Sequence, residues 1–219
     1  MHNNVYDGHA QQKLVTPHIR DRCSQLETKK MSSTEIEEII KSRFPVLNKD
    51  SIIAIAKFSS FLNFKKGEKL IYEGKIHHSF YLILKGSVKA YYTKETKEVS
   101  SWFAFENEVI ATIKTFNGLV SNETIVLLED SKLIQFNTES IKELAATNLD
   151  VSHLLIDILT EHTVFLEEKL YQLQFMSSEE RYKGLVNAVP EILQKVSLTD
   201  LASFLGISRE TLSRIRGKR

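Results

Sequence analysis

Residues 197–216 read SLTDLASFLGISRETLSRIR, a pattern that predicts two helices joined by a tight turn. Ser197 and Asp200 have the spacing of an N-terminal cap, so they mark the start of the first helix. Gly206 stands where a left-handed turn residue is needed, and Ser208 can cap the second helix. The stretch therefore predicts a helix-turn-helix.

The second helix is expected to turn a polar face to solvent, with Leu212 and Ile215 facing inward. Arginine can pair bidentately with guanine, and glutamate can accept a hydrogen bond from the cytosine amino group. The outward residues, which we predict to read bases in the major groove, are Arg209, Glu210, Ser213 and Arg214. The alternative is a two-helix hairpin with a charged outer face and no role in DNA binding.

The net charge is unevenly distributed along the chain, although the whole sequence carries only +1. Residues 181–219 hold eight Lys/Arg and three Asp/Glu, a net charge of +5, whereas residues 1–180 carry −4. Because phosphate neutralisation is local, a basic end on an acidic body suits a polyanion partner at that end. A solvated basic tail is the other interpretation.

The composition is that of a globular chain with room for one large or two modest domains: 219 residues, 42% hydrophobic and 26% charged. No run approaches the roughly 20 apolar residues of a membrane span, and residues 1–30 lack the apolar centre of a secretory signal, so we expect a cytoplasmic protein with no membrane partner.

Candidate catalytic and metal-binding groups are sparse. Cys23 is the only cysteine, which excludes an internal disulfide, a four-thiolate cluster and a cysteine-rich zinc site within one chain. We find no nucleophile–base pairing, metal-ligand set or phosphate-cradling loop, and we predict no catalytic residue, no metal, no cofactor and no enzymatic activity.

Residues 62–136 predict many short strands, because β-branched and aromatic runs alternate with turn pairs such as Lys66-Gly67, Glu73-Gly74 and Lys85-Gly86. This pattern indicates a sandwich, a jelly roll or a small barrel. Trp102 and Phe105 are aromatic candidates for an effector pocket, although a place in the core is the stronger interpretation.

Helical patterns lie on both sides of the strands. Residues 1–30 are polar and predict a flexible extension, and either Met1 or Met31 could be the start of translation.

Apolar residues recur at three- and four-residue spacing over residues 148–176, which predicts one long helix. Its candidate dimer contacts are Leu155, Leu159, His162, Leu166 and Leu173; packing only on its own domain is the alternative.

The motifs together resemble the Crp/Fnr family of cyclic-AMP receptor and fumarate–nitrate regulators. Residues 208–215 resemble that family's recognition helix, residues 201–207 its preceding helix and turn, and Gly67, Gly74 and Gly86 the turn glycines of its jelly roll. The resemblance covers residues 33–219. It implies phosphate contacts from Ser197, Thr199, Ser208, Arg216 and Lys218.

The architecture implied is α+β. It consists of a cyclic-nucleotide-binding-like jelly roll at residues 31–147, a dimerisation helix at 148–176, and a helix-turn-helix domain without a clear wing at 177–219. A homodimer would bind a near-palindromic DNA site. RNA polymerase and an unidentified small-molecule effector are further partners that the resemblance implies. The alternative function is a ligand-sensing or protein-interaction module that does not read DNA sequence.

One departure from the family concerns the nucleotide's phosphate. Cyclic-nucleotide-responsive members have a Gly-Glu pair and an arginine; here the corresponding positions hold Phe105-Glu106-Asn107-Glu108 and Ser121-Asn122. A cyclic phosphate would lack a bidentate partner, so we expect an effector other than cAMP, or none. The variant is similar to that of regulators common in Bacteroidetes. Further candidates for the effector pocket are Glu106, Ser121 and Asn122.

Overall fold

The computed structural model describes residues 31–217, so the predicted extension at residues 1–30 and the candidate Lys218 lie outside the described part of the chain. Two helices come first. Helix α1 (Ser33–Arg43) begins at a capping box formed by Ser32 and Glu35, and α2 (Lys49–Ala56) is capped by Asn48. No helix of the described residues is long and apolar enough to cross a membrane.

Eight strands follow and form two antiparallel four-stranded sheets, with the orders β1-β8-β3-β6 and β2-β7-β4-β5. The predicted α+β jelly roll is confirmed. The sequence pattern missed β6, which has only two residues. The strands are β1 (Ser59–Phe64), β2 (Lys69–Ile71), β3 (Ser79–Lys85), β4 (Val88–Lys94), β5 (Lys97–Ala104), β6 (Val109–Ile110), β7 (Thr124–Leu127) and β8 (Ser131–Asn137).

The first sheet is buried on both faces, which explains the unbroken apolar run of β3. Tyr81 and Ile83 point into the space between the sheets, where they pack with residues of β4 and β7. Phe80 and Leu82 alternate with them and pack against the helices on the outer face. This period-two alternation places each side chain in one of two separate cores.

A glycine is required at the turn between β3 and β4. Gly86 has φ +118, and a Cβ atom there would meet the side chain of Ser131. Any larger residue would force that turn to move, because both the backbone conformation and the close approach demand glycine.

Helix α3 (Ile113–Phe116) lies between β6 and β7 in the chain, and two helices follow β8: α4 (Thr138–Ala145) and α5 (Leu149–Phe175). The long helix predicted for residues 148–176 is confirmed. Its first turns enter the core, since Val151, Leu154 and Ile158 are buried there.

The last four helices are α6 (Ser178–Ala188), α7 (Ile192–Lys195), α8 (Leu198–Phe204) and α9 (Arg209–Gly217). Helix α6 ends two residues before Pro190, as expected for a residue that cannot continue a helix. A third apolar cluster joins these helices to Phe105 of the β5–β6 turn. The C-terminal helices therefore pack on the jelly roll as well as on one another. The predicted three-part division of the chain stays a prediction.

Candidate nucleic-acid interface and junction cavity

The turn between α8 and α9 has the geometry that the sequence predicts. Gly206 adopts φ +68. Its N–H donates to Ser203 O at 3.0 Å, and the N–H of Ile207 donates to Ala202 O at 3.0 Å. These two bonds form a Schellman motif, which satisfies the last carbonyls of α8 and reverses the chain. Ser208 then accepts a bond from Thr211 N at 3.1 Å and caps α9.

Helix α9 presents one polar face to solvent and one apolar face to the protein. Leu212 is only 1% exposed and packs in the third cluster, and Ile215 packs against that cluster. The four predicted base-reading residues lie on the other side and are all exposed: Arg209, Glu210, Ser213 and Arg214. The structure therefore brings them onto one face.

Two charges on this face are held in place by neighbours on the same helix. The N–H of Glu210 itself and the Ser208 hydroxyl donate to the Glu210 carboxylate, which lowers its pKa. Arg214 Nη2 donates to Thr211 Oγ1 at 3.2 Å. An ionised acceptor and a guanidinium donor thus lie side by side, as hydrogen bonding to base edges requires.

The predicted phosphate contacts within the described residues are exposed but differ in their hydrogen bonds. Thr199, Ser208 and Arg216 are exposed. Ser197 is exposed too, but its hydroxyl donates to Asp200 Oδ2 at 2.6 Å and accepts from Asp200 N at 3.1 Å, so it caps α8. Lys218 lies outside the described residues.

The candidate dimer contacts on α5 fall into two groups. Leu155 and Leu159 are half-buried against the core between the first sheet and the helices. His162 is also half-buried, and desolvation lowers its pKa. Leu166 and Leu173 are 49% and 50% exposed. The second half of the helix thus keeps an apolar stripe that no described residue covers.

Helix α8 lies over β5, the edge strand of the second sheet. Lys89 Nζ on β4 pairs with Asp200 Oδ1 on α8 at 2.7 Å, and Ser100 N on β5 donates to Ser203 Oγ at 3.0 Å. The rings of Phe103 and Phe204 lie 5.3 Å apart. We call this set of contacts the junction. No local sequence pattern predicts the junction, although a lysine inside the apolar run of β4 indicates that a buried partner exists.

A cavity of about 340 Å³ opens beside the junction. Phe103 and Phe105 line it from the jelly roll, Phe165 from α5, and Leu185 and Phe204 from the C-terminal helices. We call it the junction cavity. Its walls come from the jelly roll, from α5 and from the C-terminal helices, so its shape depends on how these elements pack.

The predicted effector-pocket residues do not share one place. Phe105 lines the junction cavity. Trp102 also borders it, but its indole packs in the core between the sheets. Glu106 accepts from Gly86 N at 3.4 Å and lies 4.0 Å from Lys195 Nζ. Ser121 and Asn122 lie in the segment before β7, where the Ser121 hydroxyl donates to Glu123 O at 2.9 Å.

The segment before β7 holds a buried carboxyl group that the sequence analysis did not single out. Glu123 accepts hydrogen bonds from Trp102 Nε1 at 3.0 Å and from Ser101 Oγ at 3.4 Å. Burial raises its pKa. The sequence holds no arginine between Arg43 and Arg181, so neither the strands nor the turns of the jelly roll can offer a guanidinium to a cyclic phosphate.

The jelly roll matches a known domain family. Residues 61–148, which hold most of the jelly roll, match the model of the cyclic nucleotide-binding domain. No curated protein matches the chain in sequence.

Solved structures share the fold over most of the chain. FixK2 from Bradyrhizobium japonicum has a TM-score of 0.64 and 16% identity, covering 73% of this chain and 83% of its own. A protein from Eubacterium rectale assigned to the Crp/Fnr family has a TM-score of 0.64 and 17% identity, with coverage of 80% and 85%. The Thermus thermophilus catabolite activator protein has a TM-score of 0.51 and 21% identity, with coverage of 80% and 85%. The expected likeness to Crp/Fnr regulators is confirmed at the level of the fold.

Proposed function

We propose that this chain is a DNA-binding transcription regulator of the Crp/Fnr type, in which α8 and α9 form a helix-turn-helix. The observation that best supports this proposal is the exposed polar face of α9, which consists of Arg209, Glu210, Ser213 and Arg214. Leu212, on the opposite face, is buried in the core. Helix α9 enters the major groove, and its polar face reads base edges.

The regulator acts as a homodimer through α5. Leu159, Leu166 and Leu173 lie seven residues apart, the spacing that places side chains on one seam between two helices. Two copies related by a two-fold axis present two α9 helices to successive major grooves. We therefore expect a near-palindromic DNA site whose half-sites lie about 34 Å apart.

The effector is not cAMP. The support for this is the absence of arginine from residues 44–180 and the buried carboxyl of Glu123 in the segment before β7. Isothermal titration of the purified chain with cAMP should give no heat of binding. Micromolar binding of cAMP would contradict this part of the proposal.

Selection of bound DNA from a random pool, using the full chain, tests the proposal. We expect one near-palindromic motif to be enriched. Arg214→Ala should then weaken binding by roughly 1–3 kcal/mol, with relaxed preference at one base position, because a bidentate contact to that base is lost.

Arg216→Ala is the matched control, since it removes a guanidinium from the same helix at a predicted phosphate contact. We expect it to weaken binding about equally on all DNA sequences. The slope of log affinity against log salt concentration should fall in magnitude by about one, because one phosphate contact is lost. Equal behaviour of the two variants would contradict base reading by Arg214. Failure to enrich any motif would favour a module that senses a ligand or docks a protein.

A further inference from the structure

The junction cavity has the size and lining of a small-molecule site. Its volume of about 340 Å³ lies at the lower end of the range of roughly 300–1,000 Å³ in which proteins bind such ligands. Phenylalanine rings face it from several elements, and aromatic surfaces of this kind favour a planar ring system.

The polar groups of the cavity are few, and acidic groups outnumber basic ones. Arg43, Glu108 and Glu161 line it together with His162. Arg43 is already engaged, because its Nε donates to Asn107 O at 2.8 Å and its Nη2 lies 3.5 Å from Glu161 Oε2. The Glu108 carboxylate accepts from Phe105 N at 3.0 Å. An anionic ligand would meet two carboxylates and one occupied guanidinium.

We propose that the junction cavity binds an uncharged aromatic small molecule of about two fused rings with one hydrogen-bonding substituent. The rings pack among Phe103, Phe105 and Phe165, and the substituent turns to the end that holds His162. The neutral imidazole has one donor and one acceptor nitrogen, so it suits a hydroxyl group. Desolvation lowers the pKa of His162 and so favours that neutral form.

Binding is linked to the packing of the C-terminal helices on the jelly roll, because both supply walls of the cavity. A ligand bound there stabilises the junction. Because the coupling is reciprocal, any change that weakens the junction also lowers the affinity for the ligand. The binding measurements use no DNA, so their failure is distinguishable from failure of the proposed DNA binding.

The test uses 6-bromo-2-naphthol as the probe and Trp102 as the reporter. Trp102 is the only tryptophan of the chain, and it neighbours Phe103 of the cavity wall although its indole packs in the core between the sheets. Naphthalene absorption overlaps tryptophan emission, so a bound probe should quench this fluorescence by energy transfer over the short distance. We expect saturable quenching with a dissociation constant on the order of 10 µM. The anion 6-bromo-2-naphthoate, which has nearly the same shape, should bind at least tenfold more weakly. No quenching, or equal affinity for the two probes, would overturn the proposal.

Filling the cavity should abolish binding. Val189→Phe adds a ring to the wall supplied by the C-terminal helices, and we expect the affinity for the naphthol to fall at least tenfold. Val164→Phe is the matched control on α5, outside the cavity, and should leave the affinity unchanged. Ala111→Leu fills the cavity from the jelly roll and gives the same test if the first variant does not fold. Unchanged affinity in a folded filling variant would overturn the proposal.

The link to the junction has its own pair of variants. Asp200→Asn breaks the pair with Lys89 and lies outside the cavity lining, so a several-fold loss of naphthol affinity reports coupling through the junction. Glu98→Gln removes the other partner of Lys89, which belongs to the jelly roll, and should change the affinity less. Equal effects of the two variants would overturn the linkage.

Discussion

At the residue scale, Glu123 is a carboxyl group buried beside the only tryptophan. It is 8% exposed, and its two donors, Trp102 and Ser101, only partly offset the loss of water. Because burial raises the pKa of Glu123, the folded chain holds a proton at pH values where the unfolded chain has lost it. The contribution of this group to stability is therefore fully present at low pH and is lost as pH rises through the raised pKa.

Replacing this carboxyl group should reverse that loss. Glu123→Gln keeps an acceptor for Trp102 and has no charge to desolvate, so we expect a more stable protein at pH 7 and a smaller advantage at pH 4. Urea denaturation of the variant and the parent at the two pH values measures the difference. A variant that is equally destabilised at both values would contradict the expectation.

Glu129→Gln is the comparison variant, because the pKa of Glu129 is lowered whereas that of Glu123 is raised. The Ser87 hydroxyl donates to this carboxylate and lowers its pKa, so its contribution is present above the pKa of the unfolded chain and lost as pH falls. This variant should be less stable than the parent at pH 7.

At the scale of single elements, α5 does two things with two faces. One face is buried against the core between the first sheet and the helices. The adjacent stripe with Leu166, Leu170 and Leu173 is about half exposed. The helix also holds the end of α8, because Lys169 Nζ donates to Phe204 O at 2.8 Å. Arg181 on α6 donates to Leu205 O at 3.1 Å. A movement of α5 would therefore reach the α8–α9 unit directly.

A charge placed on the exposed stripe should dissociate the proposed dimer. Leu166→Glu would desolvate a carboxylate in the seam between two copies, so we expect a monomer at micromolar concentration. Val164→Glu is the matched control, since Val164 is also exposed but lies two positions away, on another side of α5. Sedimentation equilibrium of both variants checks this. Dissociation of both, or of neither, would contradict the assigned face.

At the scale of the whole molecule, the C-terminal helices cover the open edge of the second sheet. The N–H of Ser100 on the edge strand donates to Ser203 Oγ on α8, which gives an otherwise unpaired backbone group a partner. Two ion pairs also join the C-terminal helices to the jelly roll: Lys89 with Asp200, and Lys195 with Glu129 of the β7–β8 turn at 3.2 Å. This arrangement leaves the polar face of α9 exposed.

Weakening the junction should be visible at the Ser100 amide. Asp200→Asn removes a charge-assisted bond between a buried lysine and a partly buried aspartate. Such a bond contributes roughly 1–2 kcal/mol, so hydrogen exchange of the Ser100 amide should accelerate about tenfold. Glu98→Gln should have a smaller effect, because it leaves the pair between Lys89 and Asp200 in place. Exchange at Ser100 that is insensitive to Asp200→Asn would show that the ion pair does not hold the junction.

The sequence by itself determined the features that depend on residues a few positions apart. The cap of α8 at Ser197, the left-handed turn at Gly206, the outward face of α9 and the length of α5 follow from short-range spacing, and the structure has each of them. The strand β6 escaped detection because two residues are too few to show an alternating pattern.

Only the tertiary structure decided the junction, its cavity and the place of Glu123. The bond between Ser100 and Ser203 joins residues 103 positions apart, and that between Lys89 and Asp200 joins residues 111 apart. No local spacing encodes such pairs, because they arise when an edge strand with open backbone groups meets a helix with a complementary polar side. For the same reason the predicted effector residues separated: Phe105 lies at the cavity, whereas the indole of Trp102 bonds Glu123 in the segment that also holds Ser121 and Asn122.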